Sequence, residues 1–426
     1  MADRVVAGGA AGGGAAGGGA DAPAGASSGA PAGASSGVPF GEKAAGPRDA
    51  YRASGVDVES GERVVALIRA AVASTRRPEV IGDLGGFAAA VALPAGLRDP
   101  VIVASTDGVG TKTAIARALG RLDTVGIDLV AMCADDLVCA GATPLFLLDY
   151  VAVGRVVPEE VAALVAGVAA GCRLAGCALV GGETAEHPGI LEPGAFDLAA
   201  TCVGVAERAD LLDGSAVASG DRLVGLAASG LHSNGFSLVR RLLAERGLNL
   251  GEGYAAVLAR FAPKVAPEPA LAGASLGEAL LVPTRVYAPA VLAIRAALRD
   301  AGADLHGAAH ITGGGLPGNV PRMVPEGLGA RLDPGRWPMP PVMRLVAALG
   351  GLSGTEMRAT FNGGLGMVLA VPPEGVGVAI AAASAAGVEA LAVGEIAPVG
   401  EVGGRYAEAE GPGPDERGRQ STTGEG

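Results

Sequence analysis

Apolar and polar positions follow two rhythms that succeed one another along the chain. Residues 61–74, GERVVALIRAAVAS, place apolar residues at the three- and four-residue spacing of an amphipathic helix. The apolar run PVIVAS (100–105) predicts a buried strand that opens into the glycine-containing loop STDGVGTK (105–112). Residues 121–142 predict a helix, with Asp123 placed to cap its start and Gly141 near its end. The β-branched and aromatic stretch 143–156 predicts a strand. Residues 158–176 predict a second helix, its first turn favoured by Pro158 and two glutamates. Further strands are predicted at 177–184 and 197–208. After the polar, glycine-rich run LLDGSAVASGDR, a second series begins: strand 222–229, loop 230–235, helix 236–247, helix 283–302, loop 310–322, a turn and strand at 360–373, and a closing helix at 375–387. This order predicts an α/β or α+β protein with two domains of similar size, 46–212 and 213–402.

Composition changes the picture mainly at the ends. Of the first 45 residues, 28 are Gly or Ala without periodicity, too little apolar surface to offset the entropy of ordering, so a disordered tail is expected at 1–45. That tail lacks the basic start and continuous apolar stretch of a secretory signal. Residues 403–426 read as a polar tail. The longest near-apolar run, 161–172, stops at Arg173 and is too short to span a bilayer. A net charge of −12 without a basic block argues against nucleic acid as a partner. Five cysteines with no C-x-x-C pair predict buried thiols in a reducing compartment, hence a cytoplasmic location.

Candidate chemistry begins with STDGVGTK. It fails the Walker pattern, because Thr111 stands between Gly110 and Lys112. Its glycines still allow several backbone amides to face an anion, and Lys112 adds a charge; it is one of three lysines in a chain with Lys+Arg 32. Asp107 suits such a loop if a divalent cation lies between it and the phosphates. Gly313 to Gly318 match G-x-G-x-x-G, but Pro317, Pro321 and Pro325 exclude the long helix that pattern needs. In the helix predicted at 121–142, Asp128 and Asp135 lie two turns apart on one face, with Asp136 beside them. Three acids in an apolar helix are costly unless they meet a cation or a donor, or else face solvent. Glu183 follows a strand on a Gly-Gly turn and, with Asp107 and Asp136, could complete a magnesium site. His306 and His310 lack the intervening glutamate of a zinc-protease helix and are expected not to bind metal. His187 is expected to shape the loop 181–189. His232, flanked by Ser229, Ser233 and Asn234 before a helix, is a candidate for anion binding or proton transfer.

Taken together, TRRPEV (75–80), STDGVGTK, DTVGIDLVAMC with the acid pair behind it (123–136), PLFLLDY (144–150), GGETAE (181–186), SGLHSNGFSLVR (229–240), PTRVY (283–287), HITGGGLPGNVPR (310–322) and TFNGGLGM (360–367) closely resemble the phosphoribosylformylglycinamidine cyclo-ligases, the aminoimidazole ribotide synthetases of purine biosynthesis. The resemblance spans about residues 46–400. It implies a two-domain aminoimidazole ribotide synthetase-like α/β (α+β) fold whose N-terminal domains pair in a homodimer barrel. It also implies an ATP-dependent C–N bond-forming ligase that phosphorylates the formyl oxygen of formylglycinamidine ribonucleotide before ring closure. Carried over motif by motif, Asp107, Asp136 and Glu183 would hold magnesium. Gly108, Gly110, Thr111 and Lys112 would bind ATP phosphates. Ser229, His232, Asn234, Thr312, Gly313, Gly314 and Gly315 would face the substrate, with His232 and Lys112 as catalytic groups. The family usually has Asn where this chain has Asp135, often Met in place of His187, and often Lys in place of Arg69.

Overall fold

Two sheets organise residues 58–409, the part that the computed structural model describes; the tail expected at 1–45 and the end of the tail expected at 403–426 lie outside the described residues. A short antiparallel pair comes first, β1 (Val80–Ile81) with β2 (Ala90–Val91). The first sheet contains β3 (Pro100–Gly108), β4 (Thr143–Val153), β5 (Ala178–Glu186) and β6 (Phe196–Glu207) in the order β3-β6-β4-β5. The second contains β7 (Arg222–Ala227), β8 (Gly307–His310), β9 (Leu328–Leu332), β10 (Leu365–Val371), β11 (Ala390–Pro398) and β12 (Tyr406–Glu408), ordered β12-β9-β11-β7-β10-β8. Pairing in both sheets is antiparallel except for β4 with β5 and β9 with β12. The parallel β4–β5 pair is bridged by the helix Pro158–Ala175, the crossover that a parallel pair requires.

Helices Val125–Cys139 and Pro158–Ala175 pack against one another beneath the first sheet, and Gly126 sets how closely they approach. A Cβ on Gly126 would lie 2.1 Å from the backbone nitrogen of Val168. The second helix starts as expected, with Pro158 in its first turn beside Glu159 and Glu160. The first does not: Thr124 takes the N-cap position without a side-chain bond, and Asp123 instead lies 3.7 Å from Arg121. Asp123 sits one residue too early to cap. All five cysteines are free thiols, and four of them are buried.

Among the described residues, no helix covers the opposite face of the first sheet. Period-2 alternation sends Ile102, Leu148 and Tyr150 to that face, where they are 56%, 38% and 38% exposed.

Helix Val125–Cys139, beneath the first sheet, is tied by its acids to the segment 284–288 of the second half. Asp128 and Asp135 share a face, as their spacing predicts, and both are fully buried. Asp128 Oδ1 accepts from the Thr284 amide at 2.8 Å and the Thr284 hydroxyl at 2.6 Å. Asp135 Oδ1 accepts from the amides of Tyr287 and Ala288, each at 2.8 Å, at the start of helix Ala288–Asp300. The motif PTRVY is therefore the strip that this helix grips.

Burial lifts the Asp135 carboxyl to about 7, although His310 and the two amide bonds pull it down. A carboxyl raised in this way stabilises the fold fully below its unfolded value and loses that contribution as pH climbs towards about 7. The loss by pH 8 is on the order of 4 kcal/mol. Asp135→Asn keeps the Oδ1 acceptor and removes the charge. It is expected to raise the urea midpoint clearly at pH 8 and less at pH 5; an equal gain at both, or a loss at pH 8, would contradict this.

Candidate active site

The loop after β3 and the loop before helix Phe236–Glu245 face each other across a cavity of about 340 Å³. One wall is Asp107, Gly108, Val109, Gly110 and Thr111; the other is Ser233, Asn234, Gly235, Phe236 and Ser237, with Met132 between them. Gly110 has a φ of 73°, which lets the loop turn back into a short 3₁₀ segment. The first turn of the ten-residue helix Phe236–Glu245 opens on the same space, so its amides and the helix dipole favour an anion there. Two side-chain bonds stitch the walls: Ser233 Oγ donates to the Val109 carbonyl at 2.7 Å, and the Thr111 and Ser237 hydroxyls lie 3.0 Å apart.

Three residues expected to touch ligand lie behind these walls. Lys112 is fully buried, and its ammonium donates to Asp128 Oδ1 at 2.9 Å, the His232 carbonyl at 2.9 Å and the Val282 carbonyl at 2.8 Å. With all three donors spent on protein oxygens, it has none for phosphate, and its expected role as an ATP ligand is corrected accordingly. Burial pushes the Lys112 amine down and the Asp128 carboxyl up, and their mutual contact opposes both shifts. His232 is 2% exposed and packs near Tyr287, with ring centroids 6.0 Å apart. Its Nε2 accepts from the Ser229 amide at 3.2 Å, and burial holds its pKa well below the ordinary value. The ring is therefore neutral with its proton on Nδ1, an atom that is buried and has no partner. That tautomer donates a hydrogen bond and is not poised to accept a proton. Ser229 Oγ donates to the Pro283 carbonyl at 2.8 Å and lines neither opening.

The loop 312–315 lies beside Asn234 without lining the cavity. A Cβ on Gly313 would lie 3.5 Å from the Asn234 amide oxygen. Asn319 holds the loop in shape, its amide donating to the carbonyls of Thr312, Gly313 and Gly315. Gly314 and Gly315 lead into a helix of five residues, Gly315–Asn319, consistent with the prolines that follow.

Asp136 faces a second opening, also about 340 Å³, between the two sheets. It is lined by Ser105, Asp136, Asp213, His310, Asn319 and Arg322, among others. Here Asp136 Oδ1 lies 3.1 Å from His310 Nδ1, and Ser105 Oγ donates to Oδ2 at 3.4 Å. Burial alone would lower the His310 pKa, but the Asp136 bond and the charges of Asp135, Asp136 and Asp107 raise it above the ordinary value. From sequence, His310 is marked only as a histidine not expected to bind metal, and Arg322 is not singled out. His310 ends a strand whose partner acid is 174 positions away, a separation that no local pattern encodes.

The expected three-acid magnesium site is not assembled within one chain. The order β3-β6-β4-β5 puts Asp107 and Glu183 on opposite edges of the sheet, about 14 Å apart by strand spacing alone. Register puts them on opposite faces as well: Asp107 aligns with Asp149 through Ala200, whereas Glu183 aligns with Tyr150 on the open face. No group of three metal-ligating side chains occurs among the described residues. The acids of helix Val125–Cys139 are matched by the protein instead: Asp128 by Lys112, Asp135 by two amides, and Asp136 by His310.

Comparison with known proteins places these motifs in a family. Residues 87–206 match AIR synthase related protein, N-terminal domain, and residues 218–407 match AIR synthase related protein, C-terminal domain. The phosphoribosylformylglycinamidine cyclo-ligase of Sorangium cellulosum is 49% identical over 83% of this chain and 96% of its own length. The enzyme of that name from Gloeobacter violaceus is 50% identical over 84% and 99%. Among solved structures, thiamine-monophosphate kinase from Stenotrophomonas maltophilia matches with a TM-score of 0.55 at 20% identity, covering 81% of this chain and 95% of that one. Hydrogenase maturation protein HypE in complex with ATP matches with a TM-score of 0.53 at 19% identity, covering 80% and 87%. These two likenesses establish the fold alone. The extent and identity of the sequence matches establish more: the chain belongs to the phosphoribosylformylglycinamidine cyclo-ligase family.

Proposed function

We propose that the chain uses ATP to close formylglycinamidine ribonucleotide into aminoimidazole ribonucleotide, a step of purine biosynthesis. The observation that carries this reading is the adjacency of two openings built from separate motifs. Met132 lines the loop cavity and Asp136 the cleft between the sheets, one helical turn apart, about 6 Å. Asp107 and Ser105 stand in the same relation two residues apart on β3. ATP phosphates fit the loop cavity, against the backbone of Gly108, Gly110 and Thr111 and the first turn of helix Phe236–Glu245. The ribonucleotide fits the cleft, where Arg322 offers positive charge beside the Asp136–His310 pair. Asn234 and the 312–315 loop lie at the junction. A division near residue 212 into a nucleotide half and a substrate half belongs to this reading.

The chemistry asks for placement more than for reactive side chains. The formyl oxygen attacks the γ-phosphorus, and ADP leaves with the electron pair of the broken P–O bond. The amidine nitrogen then adds to the same carbon and loses a proton, and phosphate departs with the C–O pair. Holding both reactants in line and neutralising the phosphoryl charge accounts for most of the acceleration such sites achieve. Magnesium arrives with ATP as part of the substrate, and Asp107 at the cavity rim is the acid best placed to meet it. His232 shapes the loop and keeps one hydrogen-bond donor, Nδ1–H, in reserve.

A homodimer and a cytoplasmic setting complete the proposal. The uncovered apolar face of the first sheet supports pairing with a second copy. Glu183 lies on that face, so its part in the site depends on the pairing. Five free thiols suit a reducing compartment, and among the described residues no helix is long and apolar enough to cross a membrane.

Purified protein given ATP, magnesium and formylglycinamidine ribonucleotide is expected to release ADP in step with aminoimidazole ribonucleotide. ADP release that the ribonucleotide does not stimulate, or the absence of product, would contradict the assignment. Asp107→Asn should raise the magnesium concentration for half-maximal rate about tenfold, the effect of roughly 1.4 kcal/mol, with the fold intact. An unchanged requirement removes Asp107 from the site. Leu148→Arg should turn a dimer into a monomer by light scattering; a dimer that persists would place the interface elsewhere.

A further inference from the structure

Lys112 occupies a point where four segments meet. Its own loop supplies Gly108–Thr111, one wall of the loop cavity. Its ammonium reaches helix Val125–Cys139 through Asp128, the 229–235 loop through the His232 carbonyl, and the residue just before the PTRVY strip through the Val282 carbonyl. It also lies 5.5 Å from the centre of the Phe236 ring, the first residue of the helix that opens on the cavity. The His232 carbonyl belongs to the only residue other than glycine with positive φ among those described, 62°. That conformation is disfavoured for a side chain with a Cβ and persists only where the surroundings impose it. Two contacts impose it here: Ser229 N–H on the ring and Lys112 Nζ on the carbonyl. The peptide groups that follow belong to Ser233 and Asn234, which form the second wall of the cavity.

We propose that Lys112 is a positioning residue: it locks the left-handed turn at His232, and with it the Ser233–Asn234 wall, to the glycine loop that holds the nucleotide. The Lys112–Asp128 pair thereby makes the two walls one rigid unit. An ammonium is suited to this because its three donors diverge to three separate oxygens, which a planar guanidinium cannot reproduce in a space with no solvent access. A lysine therefore stands here in a chain that otherwise favours arginine.

The kinetic part of the test rests on the proposed function; the remainder does not need turnover. In Lys112→Met combined with Asp128→Asn, both charges go and Asn can still accept from Thr284. This variant is expected to fold, to bind ATP within about threefold of wild type, and to lose kcat about 10²-fold with KM for ATP little changed, as misplacement on the scale of 1 Å would produce. Lys112→Arg is expected not to restore kcat. ATP affinity falling tenfold or more, or kcat left unchanged, would overturn the proposal. Should the variant fail to fold, amine-reactive labelling of the wild-type protein read by mass spectrometry decides the matter. Lys112 is expected to resist labelling with or without ATP, whereas labelling that ATP prevents would make it a phosphate ligand. Wild-type protein that binds ATP but forms no product would instead refute the functional reading and leave the labelling result standing.

Discussion

A single buried ion pair sets the terms for the rest of this molecule. Lys112 and Asp128 have no solvent contact, so each must find its partners within the protein or suffer a desolvation penalty of several kcal/mol. The penalty is met by dense bonding: three protein oxygens on the ammonium, and the Thr284 amide and hydroxyl added to the carboxylate. Such an arrangement tolerates little displacement of any member. Because the members come from the helix beneath the first sheet, the 282–284 segment and the loops of both cavity walls, the geometry of the openings follows from the geometry of the pair.

The remaining acids of helix Val125–Cys139 follow the same rule. Asp135 is satisfied by the amides at the start of a neighbouring helix, and Asp136 by a histidine on the far sheet. Asp128 and Asp135 tie the helix to the 284–288 segment, and Asp136 reaches β8 of the second sheet across the cleft. The same register explains why Glu183 stands apart: it lies on the face of the sheet opposite Asp107.

Much of the fold was legible in the sequence because it rests on local periodicity and punctuation. The strands from Pro100 and Thr143 and the helix from Pro158 begin where pattern and proline place them. Shorter elements, such as the helix Tyr254–Phe261 and strands β9 and β12, are too brief for a period to register. At the site, the spacing of Asp128 and Asp135 predicts their common face, but leaves open whether a cation, a donor or solvent meets them. Lysine in a glycine loop suggested phosphate because its charge is visible in sequence while its burial is not. Strand order likewise leaves no local trace, and strand order is what separates Asp107 from Glu183. The pairing of Asp136 with His310 and of Lys112 with His232 depends on contacts more than a hundred residues apart.

A crystal structure with a non-hydrolysable ATP analogue and magnesium tests the central claim most directly. The account predicts that Lys112 Nζ stays at hydrogen-bonding distance from Asp128 and the His232 carbonyl, now 2.9 Å each, while the phosphates rest on the amides of Gly110 and Thr111 and the first turn of helix Phe236–Glu245. A Lys112 side chain turned out of its pocket onto the γ-phosphate, with Asp128 left behind, would contradict it.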